Sequence, residues 1–327
     1  MRPTVLASFA LIALGTPYAQ AQVGPPTLHF PLACRIGQDC EVQHYVDRDP
    51  GPGARDYNCG RRTYDKHDGI DIRLLDMAEQ RRGVDVLAAA AGRVVAVRDG
   101  VPDISIRAPG APSVAGHECG NRVAISHGGG WGTDYCHLAR GSVKVKPGDM
   151  VAAGQPLGKV GLSGDTEFPH LHMSLRHGDQ VVDPFAPDPA GGCGPRSALW
   201  APAAQRALAY KAGTILNAGF APEPISNEAI EAGSIAPVGR DPAVLVAYVR
   251  AIGLDAGDEI SIAITGPDGR MIVQPPPTRL ATYKDEQFMY AGRKRPTGGW
   301  AHGRYTAEVR ITRQGQAPLQ RQFSTTL

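Results

Sequence analysis

A mainly β protein in two units is predicted for this chain on three observations. These are its glycine and proline content, its short β-branched runs punctuated by turns, and a Pro/Gly-rich break at 187–195. The chain has 327 residues, with 40 Gly and 28 Pro. Together these make up about a fifth of it and leave little room for long helices, since each is costly inside one. An apolar fraction of 42% is enough to bury a core, and no low-complexity run argues for disorder. Lys and Arg (34) nearly balance Asp and Glu (32), for a net charge of +2. That offers no broad basic surface and argues against nucleic acid as a partner.

Taken in order, residues 1–21 (MRPTVLASFALIALGTPYAQA) read as a signal peptide. Arg2 is followed by an apolar run from Val5 to Leu14, and Ala19-Gln20-Ala21 fits an A-x-A cleavage site. The run is short for a bilayer span, no cysteine stands near the cleavage site to carry lipid, and no second long apolar run follows. The mature chain is therefore expected to begin near Gln22, in the periplasm or secreted, with no integral membrane segment. In an oxidising compartment the six cysteines read as disulfides. Cys34 and Cys40 bracket a short loop, Cys119 and Cys136 flank a turn at 127–131, and Cys59 and Cys193 are left for each other. Other pairings stay open. A thiolate zinc cluster is disfavoured because no C-x₂-C pair exists.

Residues 22–59 read as an N-terminal extension. Strands are expected at 84–87, 92–98, 104–107 and 122–126, then two more around the Pro147-Gly148-Asp149 turn, ending near 184. A linker over 196–212 includes a short helix within 197–211, interrupted at Pro202. From 213 to 327, alternating runs at 243–250, 259–265, 271–274 and 305–312, with a hairpin turn at Gly266-Pro267-Asp268-Gly269, predict a small β-sandwich. No titratable cluster stands out in it, and an accessory or binding role is expected.

Histidine placement carries the chemistry. His67 and Asp71 in His67-Asp68-Gly69-Ile70-Asp71 lie four apart, on one face of an extended chain. In His170-Leu171-His172 the two imidazoles share a strand face while Leu171 turns to the core. His137, in Tyr135-Cys136-His137-Leu138, adds a third imidazole. Nitrogen and carboxylate ligands with one position left open describe a catalytic zinc site, and surplus histidines suit proton transfer near neutral pH. The H-E-x-x-H motif is absent, since position 121 after His117-Glu118 is Asn.

From about 60 to 185, within an expected peptidase domain of 60–195, the chain resembles the lysostaphin/LytM-type zinc peptidases of family M23, which cleave peptidoglycan. The resemblance rests on HDGID at 67–71, YCHL at 135–138, VKPGDMVAAGQPLG at 145–158 and PHLHMSLR at 169–176. It implies a curved antiparallel β-sheet with an open groove and Zn²⁺ held by His67, Asp71 and His172. His137 and His170 are implied as the catalytic pair. One would move a proton and the other would hydrogen-bond the oxyanion, in an order the sequence leaves open. Tyr64 is a candidate further oxyanion donor or simply a packing residue. The segment Asp165-Thr166-Glu167-Phe168 departs from the small residues usual before PHLH, which puts substrate preference there in question. A β-hammerhead carrier is disfavoured, because Lys144 and Lys146 lie within a strand and not at a hairpin tip. The implied substrate is a peptidoglycan peptide, with a wall or protein partner expected through the C-terminal domain. The alternative is a silent or autoinhibited M23 scaffold that binds wall or activates other hydrolases, with residues 22–60 blocking the groove. The other histidines are assigned to structural or surface roles, with His127 nearest the groove.

Overall fold

The computed structural model describes residues 24–190 and 192–327. The expected signal peptide at 1–21 lies outside them. The chain runs β1 (Cys40–His44), β2 (Ile70–Leu74), α1 (Met77–Arg82), β3 (Asp85–Leu87), β4 (Gly92–Arg98), β5 (Asn121–Gly128) and β6 (Trp131–Leu138). It continues with β7 (Met150–Val151), β8 (Pro156–Lys159), β9 (His170–His177), β10 (Gln180–Val181), α2 (Pro202–Ala207), β11 (Thr214–Ala221) and α3 (Asn227–Glu231). Last come β12 (Val244–Leu254), β13 (Glu259–Thr265), β14 (Met271–Val273), β15 (Thr278–Arg279), β16 (Lys284–Lys294), β17 (Arg304–Thr312) and β18 (Leu319–Thr326). The fold is mainly β, as expected. Among the described residues no helix is long and apolar enough to cross a membrane.

One antiparallel sheet, ordered β1-β2-β9-β6-β5-β4-β7 with β10 on β9, carries the motifs. Its apolar face is built by alternation: Ile70, Ile72 and Leu74 on β2, Leu171, Met173 and Leu175 on β9, and Val123 and Ile125 on β5. Residues 24–59, expected ahead of this sheet, are woven into it. Leu28 and Leu32 sit in its core, and β1 forms its edge. Tyr45, Tyr57, Phe185 and Tyr210 stack beneath that edge, joining the start of the chain to the segment after 195.

The C-terminal part forms two antiparallel sheets, β11-β12-β16 and β14-β13-β17-β18 with β15 on β13. They share one apolar core of Leu245, Val249, Ile260, Ile262, Ile264, Val309 and Ile311, which is a sandwich-like arrangement. The Gly266–Gly269 turn joins β13 to β14 through backbone bonds, as its sequence predicts. Pro202 begins α2 at its first turn, where its missing N–H costs nothing, and does not interrupt a helix. Residues 104–107 form a turn held by Ala108 N–H to the Ser105 carbonyl, and only Met150–Val151 pairs as a strand around the Pro-Gly-Asp turn. The disulfides are Cys34–Cys40, Cys59–Cys193 and Cys119–Cys136, the pairing preferred from the sequence.

Candidate metal centre and groove

Strand register assembles the site. His44 on β1 pairs with Asp71 on β2, Asp71 pairs with His172 on β9, and His172 pairs with Cys136 on β6. Directly paired residues share a face, so this row projects from the face opposite the apolar core. His67 enters from the loop before β2. Ligand atoms of His67, Asp71 and His172 all lie within 4.8 Å of one another.

The surroundings orient each donor. His67 Nδ1 donates to the Tyr45 carbonyl at 2.7 Å, which leaves the Nε2 lone pair facing Asp71 Oδ2 and His172 Nδ1, each 3.2 Å away. His172 turns Nδ1 to Asp71 Oδ1 at 2.9 Å, while its Nε2 donates outward to Asp68 Oδ1 at 3.1 Å. Arg176 in turn pairs with Asp68. Such outward bonds to a carboxylate or carbonyl are what fix the tautomer and aim of metal-binding imidazoles. Gly69 has a steric reason here: a Cβ would stand 2.6 Å from His172 Nε2 and 2.7 Å from the Met173 carbonyl.

Asp71 is fully buried, and burial alone would raise its pKa. His67, His170, His172 and His44 around it outweigh that and hold the carboxyl well below the usual range. For His172, burial works to lower the pKa, yet its bonds to Asp68 and Asp71 raise it to about 9. A buried anion ringed by imidazoles, with His67 set as the Nδ1–H tautomer and His172 able to give up its Nδ1 proton to a metal, is a donor set of the kind zinc takes.

His137 and His170 stand beside this centre with rings 4.6 Å apart. Residues 136 and 137 are neighbours on one strand and would normally face opposite ways. A left-handed backbone at His137 (φ 61°) breaks that alternation, a strain that persists only where the surroundings enforce it. Its N–H is held by the Cys119 carbonyl at 2.9 Å and its Nδ1 donates to the Ser163 carbonyl at 2.8 Å. Gly120 permits that contact, because a Cβ there would strike the Ser163 carbonyl oxygen at 2.1 Å. His170 Nδ1 donates to the Phe168 carbonyl at 2.9 Å, with Thr166 Oγ1 at 3.0 Å. Burial, then the neighbouring His170 and His172, pushes the His137 pKa well down. Burial lowers that of His170 to about 4 despite the Asp71 charge. Both imidazoles are therefore neutral at neutral pH.

A groove passes over these groups as two hollows that share Tyr64, His137, Asp165 and His172. One, of about 420 Å³, is lined by Asp68, Glu118, Arg122 and Arg176; the other, of about 520 Å³, by Phe168, His170, Tyr283 and Asp285. Half-exposed Tyr64 tilts over the His67 ring at 4.5 Å and meets His44 edge-on. Glu167 pairs with Arg107 at the rim. His127 stays out of the groove, held by the Ala91 carbonyl and Thr133 Oγ1.

The sequence reading missed His44, whose Nδ1 lies 3.0 Å from Asp71 Oδ2, and it missed Asp68, Arg176 and Asp285. Asp68 lies inside the HDGID motif and was within reach of that reading. Arg176 likewise ends the PHLHMSLR run at 169–176, whereas His44 and Asp285 carried no local signal.

Residues 65–184 match the model of peptidase family M23, and the chain thus carries a domain of that family. Over 129 residues it is 32% identical to the cell division protein DipM of Caulobacter vibrioides, covering 39% of this chain and 17% of that protein. Over 56 residues it is 43% identical to the peptidoglycan DD-endopeptidase ShyA of Vibrio cholerae, covering 17% of this chain and 13% of that protein. The matched stretch is thus a small part of either curated relative. Among solved structures, a variant of the catalytic domain of the prophage-encoded M23 protein EnpA from Enterococcus faecalis aligns at 26% identity. That alignment covers 48% of this chain and 95% of that one, with a TM-score of 0.32. The catalytic domain of lysostaphin from Staphylococcus simulans aligns at 24% identity over 41% of this chain and 84% of that one, with a TM-score of 0.27.

Proposed function

We propose that the chain is an exported zinc-dependent endopeptidase that hydrolyses peptide bonds in peptidoglycan cross-links or stem peptides. The observation that carries this reading is the convergence of His67 Nε2, Asp71 and His172 Nδ1 on one point, with the other nitrogen of each imidazole already committed. The three disulfides suit an oxidising compartment and support export to the periplasm or beyond. The peptidoglycan substrate is supported by the family of residues 65–184 and by the relative named as a peptidoglycan endopeptidase.

His67, Asp71 and His172 would hold zinc, which would supply Lewis-acid polarisation of a scissile carbonyl and activation of water near neutral pH. The remaining work belongs to the chain. His137 and His170, each with Nδ1 bonded to a carbonyl, turn their Nε2 atoms to the groove. With Nδ1–H already donating, each Nε2 is a bare acceptor: one of the two takes a proton, and only the Nε2 so protonated can then donate to the developing oxyanion, a contribution of about 3–4 kcal/mol. Their depressed pKa values keep both ready to accept. Tyr64, at the mouth and against His67, limits how a peptide enters.

The test is mass spectrometry of muropeptides released from purified wall, with His172→Ala as control and zinc content measured on both proteins. New peptide termini from the native chain alone are expected, with zinc near one per chain. Identical products from both proteins would refute hydrolysis, and release by metal-free protein would refute the metal. Zinc bound without any release would favour the silent-scaffold alternative.

A further inference from the structure

The C-terminal sandwich reaches into the metal centre. Asp285 is the second residue of β16, and its Oδ1 lies 2.9 Å from His44 Nε2. The other ring nitrogen of His44 lies 3.0 Å from Asp71 Oδ2. Asp285 Oδ2 accepts from Gln43 Nε2 at 3.0 Å, so both of its oxygens are committed to β1. The next residue, Glu286, is bound at 2.8 Å by the wholly buried Arg73 of β2. Arg73 also reaches Glu231 at 2.6 Å, and Phe168 covers its guanidinium with the ring centroid 4.2 Å away. From the sandwich, Arg250 returns a bond to the Leu75 carbonyl. The start of β16 is thus clamped to the sheet edge next to the groove, and Tyr283 and Asp285 line one of its hollows.

We infer that Asp285 and His44 are positioning residues for the metal: Asp285 holds the His44 ring, which in turn aims the Asp71 carboxylate at the centre. The C-terminal sandwich is then a fixed part of the metal site as well as a wall of the groove. The inference rests on the zinc reading above. Its physical basis is that a carboxylate ligand whose outer lone pair is occupied by a held donor loses little freedom on binding metal, and such outer partners matter about 10–100-fold in metal affinity or activity.

The experiment uses the full chain with Asp285→Ala, Asp285→Asn, His44→Gln and the Asp285→Ala/His44→Gln double variant. Arg279→Ala, on an exposed sandwich pair that lines neither hollow of the groove, is the control. Zn²⁺ affinity is read by chelator competition, the ligand field by the absorption of the Co²⁺-loaded protein, and folding by thermal melting. Asp285→Ala is expected to weaken Zn²⁺ binding about 10–100-fold and shift the Co²⁺ bands. Asp285→Asn, which keeps size and an acceptor oxygen, is expected to fall between it and the native chain, and carries the test if the alanine variant does not fold. The double variant should be no weaker than His44→Gln alone, because Asp285 acts through His44. Native affinity and spectrum in the Asp285 variants, or additive losses in the double variant, would overturn the inference. A native chain that binds Zn²⁺ no better than His172→Ala would overturn the zinc reading and this inference with it, a result distinct from failure of the relay alone.

Discussion

Strands β9 and β17 are both interior antiparallel strands of eight and nine residues, and they use the same alternation differently. On β17, Tyr305, Ala307, Val309 and Ile311 pack into the sandwich while Arg304, Arg310 and Thr312 face solvent. On β9, Leu171, Met173 and Leu175 fill the core, yet the opposite face is also enclosed: His170 and Ser174 are buried and the His172 side chain is 12% exposed. An enclosed polar face costs free energy unless each group finds a partner. The large sheet meets that requirement with a connected set of imidazoles, carboxylates and arginines. Among the described residues the sandwich buries only Arg250, Asp258 and Arg313 of comparable polarity, and Arg250 serves the contact with the large sheet.

If the enclosed polar face exists for a metal, chelation should bring activity to background, and Zn²⁺ should restore it. Asp71→Ala should do the same irreversibly, measured as wall turnover beside metal content. Arg73→Met is expected to destabilise the chain by about 3–5 kcal/mol, since it leaves Glu231 and Glu286 short of a buried cation. Urea unfolding would show it, and a change under 1 kcal/mol would mean that the clamp between the two regions is slack. Replacing Cys119 and Cys136 together by Ala should cost about 3 kcal/mol for so short a loop. It should also lower kcat, because the Cys119 carbonyl holds the strained His137.

Asp183 offers a pH test away from the metal. Burial raises its pKa to about 7, against the bonds from the Phe185 and Ala186 amides and the Arg48 charge. The folded chain therefore holds this proton more tightly than the unfolded chain. The resulting stability is complete below about pH 4 and is lost as pH rises through about 7, by at most about 1.4 kcal/mol per pH unit. Asp183→Asn should remove that part of the slope, as melting curves from pH 4 to 8 would show. The smallest effect belongs to the sandwich surface. Breaking the exposed Arg279–Glu259 pair should change stability by about 0.5 kcal/mol or less.

Metal-ligand candidates were legible because their spacing is short. Asp71 follows His67 by four, which keeps the two close although His67 lies in the loop before β2, and His172 follows His170 by two on one strand, so that pair shares a face. His137 was legible as a group but not as a direction, because its aim depends on one residue leaving the strand conformation. β16 went unseen, since KDEQFMYAGRK has no clean alternation and is mostly half-buried or exposed.

By itself, then, the amino-acid order determined the β class, the turn positions, the candidate donors and the preferred cysteine pairs. These follow from local periodicity, backbone propensity and loop length. Tertiary structure alone decided that β1 is the edge of the large sheet, that Arg73 closes the contact with the sandwich, and that Asp285 reaches His44 across 241 residues. A contact of that separation leaves no local period in the chain; it exists only where two separately formed sheets meet and an enclosed charge requires a partner.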